Sequence, residues 1–399
     1  MRKDARQAAE GVARVSYGRL VALISARTRD IAAAEDALAD AFQRALEAWP
    51  ERGVPERPEA WLLTVARRSF GHAARRGAVR EAAMTTLKLI QDETDSRVTP
   101  ALPDDRLKLL FVCAHPAIDE AARTPLMLQT VLGLDAARIA SAFVTSPAAM
   151  AQRLVRAKSK IRDAGIRFET PEPEDMPERL SAVLAAVYAA YGAGWDDGLG
   201  TGLADEAIFL GRLLAQMAPG EPEVLGLLAL MLHCEARRTA RRGVDGAYVP
   251  LAEQDVRLWS RPMILEAERC LFEASRLGVF GRYQTEAAIQ SVHAQRAVTG
   301  QTQTAALVTL YDLLAARAPS IGVLVSRAAV HGEAFGPTAG LVQLDALEPA
   351  RVQTYQPYWA VRSHLLKAEG REAEAGAALD RAIGLSDDPA VRAYLAGRR

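Results

Sequence analysis

The residues best equipped for chemistry are cations and amides in the stretch Gly133–Asp163 (GLDAARIASAFVTSPAAMAQRLVRAKSKIRD). Helical spacing puts Ala148, Ala149, Gln152, Arg153, Arg156 and Lys160 on one face of a helix, and Met150, Leu154, Ala157 and Ile161 on the other. Ser146 before Pro147 is a strong start signal, because Ser caps the free N–H groups and Pro suits the first helical turn. Upstream, Asp135 is placed to cap a shorter helix predicted to run through Phe143, with Val144–Thr145–Ser146 as the turn. Small residues at its start let a helix enter the major groove of DNA. Gln and Arg can then read base edges, while Lys and further Arg hold phosphates. An ordinary helical hairpin with a basic rim has the same apolar face. Turn, cap, proline and outward cations together favour DNA recognition.

Two further faces carry charge. In Asp30–Trp49 an apolar stripe of Ile31, Leu38, Phe42, Leu46 and Trp49 stands opposite Asp36, Asp40, Gln43 and Glu47. After a proline-rich loop, Pro50–Pro58, comes a predicted helix over Glu59–Arg76 with Leu62, Val65 and Ala66 inward. Its outward face holds Thr64, Arg68, His72 and Arg75, flanked by Arg67 and Arg76. Taken singly, an acidic face is usually just solvated, and a basic one suits phosphates, acidic partners or water equally.

Other reactive residue types lack company. Cys113 and His115 lie two apart in an otherwise apolar helix (LKLLFVCAHPAI) with no further ligands nearby, so core packing is expected. His233–Cys234 reads the same way. Asp196–Asp197 falls in a glycine-rich stretch, Gly192–Gly202, that matches neither a P-loop nor a calcium loop. No nucleophile elbow or dinucleotide fingerprint occurs. The expectation is no catalytic residue, no metal, no cofactor and no enzyme.

These faces need helices to position them, and the composition supplies helices. Half of the 399 residues are hydrophobic but only 6% are aromatic, and Ala and Leu dominate. No period-two alternation appears, so the expected fold is all-α. Three scattered cysteines offer no disulfide framework, the N-terminus lacks a signal-peptide pattern, and no run is long and apolar enough to span a membrane; a cytoplasmic protein is expected. The zero net charge hides an asymmetry of +7 over residues 1–168 against −7 over the remainder. Only the first part is therefore expected to meet a polyanion. Two polar, proline-bearing stretches, Gln91–Asp105 and Glu169–Glu178, read as linkers. The third segment ends in a block, Tyr358–Pro389, in which Ala360, Leu365, Gly370, Ala375, Ala382 and Pro389 keep the small/large rhythm of a tetratricopeptide (TPR) repeat. Earlier blocks match poorly, so the segment is TPR-like, with a concave face suited to a protein or peptide partner.

The order of these pieces resembles a known family. AEDAxxxxFxxAxxxW (Ala34–Trp49) followed by PxAWLxxxARRxxxxxxRR (Pro58–Arg76) is similar to region two of sigma factors. With the helix-turn-helix behind it, the chain over about residues 10–168 resembles extracytoplasmic-function (ECF) sigma factors. That resemblance implies a region-two domain at 10–90, a linker at 91–105, a region-four helix-turn-helix domain at 106–168, a linker at 169–178 and a TPR-like regulatory domain at 179–399. It implies core RNA polymerase and promoter DNA as partners. Asp36, Asp40, Gln43 and Glu47 would face polymerase, Arg67, Arg68, His72, Arg75 and Arg76 the minus-ten element, and the Ala148–Lys160 face the minus-thirty-five element. Where many relatives carry Asn and Asp on the minus-ten helix, this chain has Arg68 and His72. Gly226–Arg241 (GLLALMLHCEARRTAR), Glu253–Trp259 (EQDVRLW) and Tyr283–Gln295 (YQTEAAIQSVHAQ) are similar to the subgroup with a TPR-like extension. The alternative reading is a stand-alone helix-turn-helix regulator on a TPR-like scaffold, which would have no need of an acidic polymerase-docking helix.

Overall fold

The computed structural model describes residues 2–76, 105–143, 145–172, 174–195 and 203–399, except for the side chains of 2–4, 14–15, 70–76 and 141–142. Among them there is no β-strand, only an isolated antiparallel bridge between Arg242 and Tyr248. The chain forms two compact units, Met1–Leu210 and Gly211–Arg399.

In the first unit, α1 (Arg2–Thr28), α2 (Ile31–Arg52) and α3 (Pro58–Arg76) pack on one another. Asp30 starts α2 by accepting the Ala33 N–H at 3.1 Å, which satisfies one of the free donors of the first turn. Gly53, at φ +82°, ends it with its N–H on the Trp49 carbonyl. The helix thus runs two residues past Pro50, where a loop was expected to begin. Proline there removes only the bond to the carbonyl of Leu46, a residue on the solvent side at 49% exposure. Trp49 and Trp61 meet edge to face, centroids 5.6 Å apart, and tie α2 to α3.

The rest of this unit is α4 (Arg106–Cys113), α5 (Glu120–Leu132), α6 (Ala136–Ala142), α7 (Pro147–Asp163) and α8 (Met176–Trp195). Leu109, Leu110, Phe111 and Val112 on α4 are buried completely or nearly so. Helix α8, which follows the second proline-bearing stretch, packs on α4 and α5; Arg179 donates to the Phe111 carbonyl at 2.7 Å. Cys113 is a core residue, its sulfur 3.3 Å from the Thr130 hydroxyl, and burial pushes its thiol up to about 12. His115 is half-buried instead, and its Nδ1 accepts the Ala117 N–H at 3.0 Å, so it shapes a turn and not the core.

Helix α1 also packs against α4 and α5. At Gly18 the two backbones come so close that a Cβ would sit 1.9 Å from the Val131 carbonyl oxygen. Backbone cannot swing aside as a side chain does, so Gly18→Ala must push α1 away from α5. The expected loss is about 1–3 kcal/mol by urea unfolding, the usual cost of overpacking.

The division between units falls within α9 (Leu203–Met217). Beyond it the second unit holds α10 (Pro222–Glu235), α11 (Arg261–Ser275), α12 (Arg282–Ala294), α13 (Arg296–Thr299), α14 (Thr304–Arg317), α15 (Ile321–Phe335), α16 (Pro337–Asp345), α17 (Pro349–Val352), α18 (Gln356–Ala368), α19 (Glu372–Gly384) and α20 (Pro389–Ala396). Helix α10 packs on α11 and α12. From α14 onward, contacts run between helices close in the chain: α14 with α15, α15 with α16 and α18, α16 with α18, and α18 with α19. That nearest-neighbour pattern is the hallmark of helical-repeat stacking. In the final block Gly370, at φ +81°, lets the chain reverse between α18 and α19, and the Ser363 hydroxyl bonds the Ala375 carbonyl across the hairpin at 2.8 Å.

Two histidines in this unit are held neutral. Burial, then the nearby Arg237 charge, lowers His233 to about 3; burial, Arg237 and Arg296 lower His293 to about 4. Below the ordinary value of 6.5 the unfolded chain therefore binds protons that the folded one refuses. This contribution to stability is complete above that value and declines as pH falls towards 4. Urea midpoints of the second unit should drop over that window, and His293→Gln should flatten the slope.

Candidate functional site

Helix α2 presents two faces. Ile31, Ala34, Ala37, Leu38, Ala41, Ala45 and Trp49 are buried. Alanines rather than large residues make most of this seam, which draws α1 and α3 close. Phe42 is half-buried and Leu46 exposed, so the expected stripe is displaced by part of a turn. Asp36, Asp40, Gln43 and Glu47 all lie exposed. Gln43 Nε2 donates to Glu47 at 3.2 Å, and the Ser69 hydroxyl of α3 donates to Asp40 at 2.7 Å. The acidic face is therefore continuous with the second half of the basic helix.

On α3, Leu62 and Ala66 are fully buried, Arg67 is half-buried and Arg68 exposed. The Thr64 hydroxyl turns back to the Ala60 carbonyl at 2.8 Å. The helix extends to Arg76, but the side chains of His72, Arg75 and Arg76 lie outside the described residues, as does the Asp196–Asp197 stretch.

The α6–α7 pair follows its caps closely. Asp135 accepts the Arg138 N–H at 2.8 Å, Ser146 accepts the Ala149 N–H at 3.2 Å, and the Thr145 N–H returns to the Ala140 carbonyl at 3.0 Å. Helix α6 ends at Ala142, so Phe143 belongs to the turn and not to the helix as expected. Met150, Leu154, Ala157 and Ile161 are buried; Ala148, Ala149, Gln152, Arg156 and Lys160 are exposed or nearly so, and Arg153 is half-buried.

Between these sets lies a contact that periodicity could not reveal. Lys158, on the flank of α7, forms an ion pair with Glu35 on α2, with side-chain exposures of only 10% and 15%. Arg162 adds a looser pair to Asp30 at 3.8 Å. Burial raises the Glu35 carboxyl above its ordinary range, while Lys158 opposes the shift by charge and by hydrogen bond. The second Glu35 oxygen has no partner. Both residues sit beside functional faces and not on them. The available signal was charge at a position bordering an apolar stripe, which marks a flank but names no partner 123 residues away.

Comparison with known proteins bears on the family. Residues 14–80, covering the second half of α1 with α2 and α3, match the family described as sigma-70 region 2. The chain carries a sigma-70 region 2 domain in its first unit, which supports a sigma-70 factor. An uncharacterized protein of Rhizobium meliloti (strain 1021) is 40% identical over 397 residues, covering 94% of this chain and 93% of the relative. At that identity the two belong to one family across both units. Residues 179–275 match a family of unknown function (DUF6596). No solved structure matches the chain. Sigma-70 factors are not enzymes. Among the described residues no group of His, Cys, Asp and Glu is placed to hold a metal ion, and no helix is long and apolar enough to cross a membrane.

Proposed function

We propose that this chain is a sigma-70 factor of the ECF type, binds core RNA polymerase through α2, and recognises promoters with α3 and α7. The observation that carries the reading is the pairing of a region 2 match over 14–80 with a capped helix–turn–helix whose outward face bears Gln152, Arg153, Arg156 and Lys160. In this reading Asp36, Asp40, Gln43 and Glu47 meet polymerase. The helix from Arg67 to Arg76, with His72 and Arg75, meets the minus-ten strand. Ala148 and Ala149 let α7 into the major groove at the minus-thirty-five element. The TPR-like part from residue 179 onward regulates the sigma part, and its site of action is the protein itself, in the cytoplasm.

Reconstituted transcription tests this. Core polymerase with the full chain should start at specific promoters that core alone ignores; specific DNA binding without any polymerase-dependent initiation would instead favour a stand-alone regulator. Within the promoter complex the residues of α7 separate by role. Gln152→Ala or Arg153→Ala should relax preference at one or two base pairs by about 1–3 kcal/mol each. Lys160→Ala should weaken all sequences alike and reduce the salt dependence, as loss of a phosphate contact does. Single-base promoter variants measured at two salt concentrations distinguish these outcomes, and uniform loss from all three substitutions would overturn the assigned reading face.

A further inference from the structure

The three motifs shared with the extension subgroup, at Gly226–Arg241, Glu253–Trp259 and Tyr283–Gln295, take no part in the reading above. In the second unit they converge on one place. Helix α10 and its end carry His233 and Arg237, one turn apart; the following loop carries Trp259; α12 carries Gln290 and His293, with Arg296 just beyond. The Arg237 guanidinium stands 5.9 Å from the centre of the Trp259 ring, and that of Arg296 stands 5.2 Å from it. Two cations thus share one indole.

Arg296 is explained by the fold. Its Nη1 and Nη2 donate to the carbonyls of Ala252 and Gln254 at 2.8 and 3.0 Å and fasten the loop. Arg237 is not. It is 8% exposed, its Nη2 donates to Gln290 Oε1 at 2.5 Å and to Cys234 Sγ at 3.9 Å, and its Nη1 is buried with no partner. His233, 2% exposed, has neither ring nitrogen hydrogen-bonded, and the Trp259 Nε1 donor is likewise buried and unmatched. Among the described residues no carboxylate forms an ion pair with Arg237 or Arg296 within 4.0 Å. The carboxylate nearest His233, Glu268, is 3.5 Å from Nε2 and accepts the Ser291 hydroxyl instead. A buried guanidinium without an anion is costly unless something supplies one, and unmatched donors grouped together define where it would bind.

We propose that Arg237, His233, Trp259 and Gln290, with Arg296 and His293 at the margin, form a binding site for a small oxyanion. The planar guanidinium fork of Arg237 fits a phosphate or carboxylate edge, and the indole N–H adds a neutral donor. Since the site lies in the part of the chain outside the proposed DNA- and polymerase-binding faces, the ligand would be a signal to the second unit and not a stand-in for nucleic acid. The inference does not depend on the sigma reading.

The test uses the full-length protein and inorganic phosphate, titrated against sodium chloride of equal ionic strength, with succinate as a parallel arm. Phosphate or succinate should raise the melting temperature where chloride does not; whichever arm acts identifies the phosphate or the carboxylate class. Amide hydrogen exchange should show new protection at residues 233–241 and 290–296. Arg237→Gln should weaken binding about tenfold or more, and Arg237→Lys, which keeps the charge without the fork, should weaken it as well. No stabilisation beyond chloride in either arm overturns the proposal. Protection confined to α7, whose cations also attract phosphate, overturns it equally, and this localisation is read on the unmutated chain should the variants fail to fold.

Discussion

Replacing Asp36 and Asp40 together by arginine is expected to abolish association with core RNA polymerase while leaving the helix intact. Both carboxylates are exposed on α2, opposite the buried seam of Ala34, Ala37, Leu38, Ala41 and Ala45. Arginine is a better helix former than aspartate, so the local structure does not suffer from the exchange. The exchange removes the hydrogen bond from the Ser69 hydroxyl to Asp40, at an exposed site where such a bond contributes only about 1 kcal/mol. At an interface that receives acidic residues, two reversals place like charges together and cost several kcal/mol, enough to move a tight complex out of the measurable range. Far-UV circular dichroism should be unchanged. Wild-type affinity in the double variant would mean that α2 docks on something else.

The second large effect concerns the link between α2 and α7. Lys158→Met should destabilise the first unit by about 3 kcal/mol at pH 7, because removing one member of a buried pair strands the other. The size is bounded by chemistry: Glu35, deprived of its partner, can take up a proton instead of remaining charged. Protonating a carboxyl of ordinary value 4.5 at pH 7 costs about 1.4 kcal/mol per pH unit between the two. The sign follows. In the variant the folded Glu35 holds its proton to higher pH than the unfolded one, so the penalty grows as pH rises above 4.5 and nearly vanishes below it. Urea unfolding at several pH values measures this directly. Glu35→Leu with Lys158→Met should recover most of the loss, since a well-packed apolar pair is close to neutral against a buried ion pair. A single variant as stable as wild type at pH 7 would show that the pair does not hold the two helices together.

Much of this architecture was legible because it is local. The α7 cap at Ser146, the buried face at Met150, Leu154, Ala157 and Ile161, and the outward placement of Gln152, Arg156 and Lys160 all follow from 3.6-residue periodicity and the chemistry of one turn. Misreadings arise where small residues carry the packing. The seam of α2 is mostly alanine, so hydrophobicity pointed to Leu46, which is exposed, in preference to Ala45, which is buried. Gly18 is a poor helix former by its type, yet it marks the closest approach of α1 to α5. Partners distant in sequence left no trace in any window. Neither Glu35 nor Arg237 is singled out by its neighbours in sequence; folding brings Lys158 to the first and Trp259 with Arg296 to the second.

The most direct test of the account is whether the unmodified full-length chain binds core RNA polymerase. Size-exclusion chromatography with light scattering, on purified chain and core at micromolar concentration, measures it without promoter or inducer. The account predicts a stable one-to-one complex that competes with another sigma factor for core, and that the Asp36→Arg/Asp40→Arg chain fails to form. Separate elution of the unmodified chain and core, under conditions where another sigma factor co-elutes, would contradict it.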